Sequence, residues 1–282
     1  MWTKLYGSAY LEGKSVYDSV CVADDPKACI KKFEWFNILY EEGMDDTHGI
    51  CGMSTGFTTD SGPLLVNSLY EEGLISEPVF GWFMSDETGT TYMDIGVLTK
   101  DSIREGDEII WMDVLDDDFW WTNEITGVSI EGVKLKVPKR PAFTDTGASC
   151  VGVPPYLYYS LMDIIFKEVT PFVDYYSGVV SISPEDVKKM PKIELLMGGY
   201  WLEMLPEDYM IYDSDYNEYW MCINESFDEL WVLGDSFLRG FYSTHDHAEK
   251  RFGFAPHSLS TKSSPYKGEI PLEVLEIKKW PK

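Results

Sequence analysis

Ten residues, Val128 to Val137 (VSIEGVKLKV), constrain the fold of this chain more than any other stretch. Apolar and polar residues alternate on both sides of Glu131-Gly132, the period-two pattern of a hairpin, with Val133, Leu135 and Val137 on one face. The second strand then runs on into AFTDTGAS, Ala142 to Ser149, where an apolar run ends on one acid set among small and hydroxyl-bearing residues. Asp145, with Thr146 and Ser149 near enough along the chain to hydrogen-bond it and Gly147 able to admit another backbone, reads as a held carboxylate rather than a solvated one. The bland alternative is an Asp that caps a turn.

Strand signals dominate elsewhere too. Helical patterns are few: PLLVNSLYEEG (63–73) opens on Pro and closes on Gly, and PPYLYYSLMDIIFKEV (154–169) is the longest. The expected class is therefore mostly β with minor helices. The 282 residues suit one large or two ordinary domains, and 44% hydrophobic content is ample for a core. An apolar pair followed by Gly occurs in GICG (49–52) and again in WVLGDS (231–236), which invites a two-lobed reading. After Pro256 the composition turns to Ser, Lys and Pro, so 257–282 reads as a peripheral tail, with LEVLEI as a candidate edge strand.

Acids outnumber bases 48 to 23, and the net charge of -25 argues against binding phosphate backbones or anionic membranes, so neither nucleic acid nor membrane is an expected partner. The opening MWTKLYGSAYLEGKS has no apolar signal core, and no later stretch approaches the length of a membrane span. So acidic a chain repels itself less once its carboxylates protonate, which fits an acidic compartment, the plain alternative being solubility. Of five cysteines, Cys21 and Cys29 flank the turn-like VADDPKA closely enough for a small disulfide loop, the alternative being two ordinary thiols; Cys51, Cys150 and Cys222 stand apart. Asn224-Glu225-Ser226 is a glycosylation sequon and weak support for secretion.

FTDTGAS resembles the second-lobe catalytic loop of the pepsin-like aspartic peptidases. ELWVLGDSFLRGFYSTHDHAEKRFGFAP (229–256) resembles the segment that closes their fold, where an apolar-apolar-Gly strand crosses under that loop. DFWWTNEITGVSIEG (118–132) is similar to the hairpin entering the second lobe, and LPEDYMI (205–211) to a later strand in it. LYGSAYLEGKSVYDSVCV (5–22) resembles the flap, with Tyr6 in the place of the tyrosine that closes over substrate, and HGICGMS resembles the first lobe's apolar-apolar-Gly segment. The ordered set is far more specific than any one motif.

The resemblance implies a mostly β, bilobal pepsin-like fold with double-psi β-barrel lobes, an incomplete first lobe over 1–112 with the flap, a second lobe over 113–256 with the Asp-Thr-Gly loop, and the tail over 257–282. It implies peptide hydrolysis by two carboxylates sharing one proton, the ionised one activating water and the neutral one donating to the carbonyl oxygen. Asp145 would be one of the pair. Tyr6, Gly7 and Ser8 would cover the substrate, and Thr146, Gly147 and Ser149 would contact an extended peptide. It further implies a peptide or protein substrate, no cofactor, no metal, a monomer, and a secreted or acidic vacuolar or lysosomal setting. The first catalytic loop should lie upstream of the flap, yet five residues precede Tyr6, so the chain is expected to lack half its dyad and to be inactive alone. It is then either a truncated copy of an active endopeptidase or a catalytically dead relative that binds peptide in the cleft. The enzyme is favoured, because a dead relative has no chemical need for Asp145 among such neighbours. Ala9 replaces a flap glycine, Ala148 replaces a frequent hydroxyl, and Cys222, with no family partner in evidence, is expected to be free.

Other chemistries fare worse. Gly234-Asp235-Ser236 resembles an esterase nucleophile block but sits late in a strand-rich chain with no suitable His after it. His245 and His247 share a strand face but find no third ligand, and read as solvated turn histidines. Cys150 reads as a buried thiol without a base.

Overall fold

In the computed structural model, residues 2–6, 9–22, 27–44, 49–56, 63–85, 90–115, 119–174 and 176–277 are described, Trp2 and Tyr6 by their backbone alone. The alternating stretch forms a hairpin of Thr122–Ile130 with Val133–Thr144. Its turn takes φ 48° at Glu131 and 79° at Gly132, the doubly left-handed geometry that matches strand twist. Glu131 tolerates that conformation because its side chain accepts the Lys192 amide at 2.6 Å while its own amide donates to the Lys192 carbonyl. Leu135 and Val137 are buried, whereas Val133, on the same face, lies beyond the core's edge.

This hairpin is the centre of an eight-stranded sheet. Its order is Ile223–Glu225, Val151–Val153, Trp231–Leu233, Val133–Thr144, Thr122–Ile130, Ile193–Met197, Tyr200–Met204 and Tyr266–Lys267. Trp231–Leu233 runs parallel to the end of the hairpin, Leu233 opposite Thr144, and antiparallel to Val151–Val153 through Val232 and Gly152. Helix Pro155–Ile165 lays Leu157, Leu161 and Ile165 into the core at a spacing of one turn. It ends earlier than its sequence pattern, as does Leu65–Glu71, where Gly73 at φ 69° lets the Leu74 amide reach back to the Leu69 carbonyl.

A five-stranded sheet draws on both ends of the chain: Tyr92–Ile95, Val79–Phe83, Phe241–Asp246, Arg251–Pro256 and Ile110–Asp113. Every residue of Phe241–Asp246 is buried. A separate three-stranded sheet holds Trp2–Tyr6, Ala9–Cys21 and Cys29–Glu42, in which Cys21 faces Cys29 and the two are joined by a disulfide. Two-residue and short strands between Phe172 and Met221 make a fourth sheet.

Two sequence expectations are corrected here. LEVLEI forms no strand: the segment's strand is Tyr266–Lys267 on Tyr200–Met204, Val274 makes a single bridge to Lys136, and Leu275 is buried in the main core. Nor are His245 and His247 solvated. His245 stacks on Phe80 with ring centres 4.3 Å apart and meets the edge of Trp121, and His247 packs against the same two rings. The polar letters of HDHAEK suggested a turn, but the turn begins one pleat later, after the strand has carried His245 into the sheet.

Burial, with the neighbouring His247, pushes His245 down to about 3, and burial pushes His247 down to about 4 against the pull of Asp246. Both imidazoles are thus neutral in the folded protein where the unfolded chain already protonates them, from near 6.5 downward. Their share of stability is present above that value and drains as the pH falls toward the folded values. His245→Phe, which keeps a ring against Phe80, should therefore lose less stability than the parent between neutral pH and about pH 4, measured as the shift in urea midpoint.

Candidate active site

The strand Val133–Thr144 delivers Asp145 to the mouth of a loop that returns as Val151–Val153. The crossing strand fixes the loop from below. Asp145 donates its amide to the Leu233 carbonyl at 3.0 Å, the Ala148 carbonyl accepts from the Asp235 amide at 2.8 Å, and the Ser149 carbonyl accepts from the Ser236 amide at 3.0 Å. Gly234 sits where this approach is tightest: a Cβ there would collide with the carbonyl oxygens of Ala148 and Cys150. Its φ of -83° suits any residue, so the glycine is there for space. Within the loop, the Gly147 amide donates to Asp145 Oδ1 at 2.8 Å, and the Ala148 amide donates to the Asp145 carbonyl at 3.2 Å. The Asp145 carboxylate is half-buried, held by a backbone donor and open on one side.

Asp145, Thr146, Gly147 and Ser149 thus share one loop, with Thr146, Gly147 and Ser149 exposed. Tyr6 ends the first strand of the separate three-stranded sheet, opposite Ala9, and Gly7 and Ser8 lie outside the described residues. Ser236 is buried, and its hydroxyl accepts from the Val151 amide and donates to the Cys222 carbonyl, a bracing role with no exposed nucleophile.

Cys150 and Cys222 are joined by a disulfide, which corrects the expectation of two thiols. The parallel register sets Ile223 against Val151, so the residues just before each are brought to a Cα separation of 4.6 Å. A separation of 72 residues hid that pairing, which only the parallel strand match reveals. Cys51 is the remaining thiol. Alkylation of the unreduced, unfolded protein should label Cys51 alone. Label on Cys150 or Cys222 would count against the bridge, whose closure of so long a loop contributes about 4 kcal/mol.

One buried, strongly perturbed carboxylate escaped sequence reasoning. Asp235 follows the close-packed Gly234, and its Oδ1 is buried with no hydrogen-bond partner among the described residues. Burial, with a further push from the Asp145 charge and an opposing pull from Arg239, raises it to about 6. The available signal is Gly234-Asp235-Ser236, whose acid follows the one residue small enough to pass beneath the loop.

A protein-family model described as eukaryotic aspartyl protease matches residues 2–257. The chain belongs to the eukaryotic aspartyl protease family. Among its relatives, pepsin B of Canis lupus familiaris is 26% identical over 221 residues, covering 73% of this chain and 54% of the relative. Gastricsin of Cavia porcellus is 26% identical over 267 residues, covering 89% of this chain and 64% of the relative. The chain therefore spans between about half and two-thirds of the length of these relatives. The aspartic proteinase of Irpex lacteus superposes with a TM-score of 0.76 at 16% identity, over 93% of this chain and 82% of that one, and shows the shared mostly β, bilobal pepsin-like fold.

Asp235 sets a pH dependence of its own on the stability of the fold. A raised carboxyl binds its proton more tightly folded than unfolded, so its contribution is full below the ordinary 3.8 and is lost as the pH rises through about 6. Against the rise that the two neutral histidines give over the same window, Asp235→Asn should make the thermal midpoint climb more steeply with pH between about 4 and 6 than it does in the parent. An unchanged slope would show that the carboxylate does not titrate there.

Proposed function

We propose that this protein is an aspartic endopeptidase in which Asp145 is one of two carboxylates that share a proton across the substrate. The observation that carries this reading is the Asp145 carboxylate, fixed by the Gly147 amide on a loop clamped from beneath by Leu233, Asp235 and Ser236. A carboxylate so held keeps its direction through the reaction, which proton transfer at hydrogen-bond range requires. With its partner protonated, Asp145 draws a proton from water as that water attacks the peptide carbonyl, and the partner donates to the carbonyl oxygen; the roles then exchange as the amine leaves.

In this reading Thr146, Gly147 and Ser149 line the peptide's path from below, and Tyr6, Gly7 and Ser8 cover it from above. The substrate is an extended peptide or protein segment, taken without a cofactor by a monomer. The lobes divide at 112 and 113, and 257–282 follows them. Two disulfides and a strongly acidic surface support a secreted or acidic luminal setting. The 282 residues hold a single Asp-Thr-Gly, so in this reading they are inert by themselves, and the assay is run on the chain joined to a first-lobe segment that supplies a second Asp-Thr-Gly loop.

The test is cleavage of a fluorogenic peptide library at acidic pH by that extended chain, with the 282 residues alone as the comparison. Activity blocked by a pepstatin-type transition-state analogue is expected, and Asp145→Asn should lower kcat by at least about a thousandfold while leaving the melting temperature near that of the parent. A folded but inert parent, or an Asp145→Asn protein that cleaves as well, would replace this reading with that of a peptide-binding relative.

A further inference from the structure

Asn224 is the middle residue of the strand Ile223–Glu225, which ends the eight-stranded sheet. Ile223 is buried in the main core, and because successive side chains on a strand point to opposite faces, Asn224 points away from it and is exposed. The strand pairs on one side with Val151–Val153, Asn224 opposite Gly152, so the neighbouring position carries no side chain to crowd it. Its other side faces no strand among the described residues. Phe227, just beyond, is fully exposed. An open strand edge beside a bare aromatic is a template for pairing with another chain.

Asn224-Glu225-Ser226 also has the Asn-x-Ser pattern that N-linked sugar transfer requires. We propose that Asn224 carries an N-linked glycan that shields this open sheet edge and Phe227. The inference rests on the secretory part of the proposed function, supported independently by the two disulfides, which form in the same oxidising compartment as the sugar transfer.

In the transfer, Asn224 Nδ2 attacks the anomeric carbon of a polyprenyl-pyrophosphate oligosaccharide. An N–C bond forms, the bond from that carbon to the pyrophosphate oxygen breaks, the amide gives up one proton, and the polyprenyl pyrophosphate departs. The order of events follows from the fold. Ser226 is buried, its amide donating to the Val153 carbonyl at 2.8 Å and its hydroxyl accepting from the Asp228 amide. An acceptor hydroxyl so engaged is out of an enzyme's reach, so the sugar is added before Cys222 docks on Cys150.

Cell-free translation of the full chain behind a supplied secretory leader, with microsomes, reads acceptance on the nascent chain whether or not it later folds. The expected result is a mobility shift removed by peptide N-glycosidase, abolished by Asn224→Gln and by Ser226→Ala, and kept by Ser226→Thr; in heavy-oxygen water the release should mark residue 224. An unmodified Asn224 overturns the site while leaving the proteolytic reading to its own test. For the shielding role, the secreted glycoprotein is compared before and after enzymatic release of its sugar. A several-fold rise in the associated fraction by light scattering is expected, and equal association overturns that role.

Discussion

Three backbone hydrogen bonds between the loop of Asp145 and the crossing strand with the helix turn that follows it hold the centre of this molecule together. They join Leu233, Asp235 and Ser236 to Asp145, Ala148 and Ser149, and they exist because Gly234 presents no side chain to the two carbonyls above it. From that one close approach the rest follows. The crossing strand must lie parallel to the end of the hairpin and antiparallel to the returning strand, so the sheet order is fixed at its most irregular point. The loop residues then turn outward, where a carboxylate can be both anchored and reachable. Ser236 and the Cys150–Cys222 bridge lock the two flanks, one with two hydrogen bonds and the other covalently.

Acidity pulls the fold in two directions. The neutral imidazoles of His245 and His247, packed against Phe80 and Trp121, favour unfolding as the pH falls, because the unfolded chain welcomes protons that the sheet excludes. Asp235 acts in the opposite sense, since its buried carboxyl is best accommodated when protonated. The opposing groups sit on one continuous piece of chain: Asp235 opens the short helix Asp235–Leu238, and Phe241–Asp246 follows directly. One stretch of chain beside the loop of Asp145 thus carries pH-dependent contributions of both signs.

How much was legible beforehand depended on whether the cause was local. The hairpin, its Glu-Gly turn and the loop of Asp145 follow from alternation and short-range hydrogen bonding, and those were readable. The two helices were readable in place but too long, because their ends are set by where the chain must turn back, as at Gly73. Cys150 with Cys222, and the burial of the histidines, depend on strands meeting across scores of residues. No window of sequence contains that information. Asp235 is a middle case: its residue type was visible, but its burial arises only once Gly234 has drawn it beneath the loop.

The segment after Pro256 shows how polar composition can disguise a structural role. Lys262 is fully buried, its ammonium 3.0 Å from Asp208 and 3.1 Å from the Phe237 carbonyl and over the Phe241 ring. Burial depresses the Lys262 ammonium and raises the Asp208 carboxyl, so each charge is tolerated because of the other. Next to it, burial pushes the Glu203 carboxyl up, but the Ser263 amide and hydroxyl and the Lys192 ammonium together hold it below its ordinary value. Arg104 binds the carbonyls of Ser260 and Lys262 from the other side. Such a pair returns little net stability against an apolar plug of the same size, but it accepts a single register. A segment rich in Ser, Lys and Pro has too few apolar side chains to find its place by burial alone, and here directional charges set it instead, with Leu275 adding a late apolar anchor.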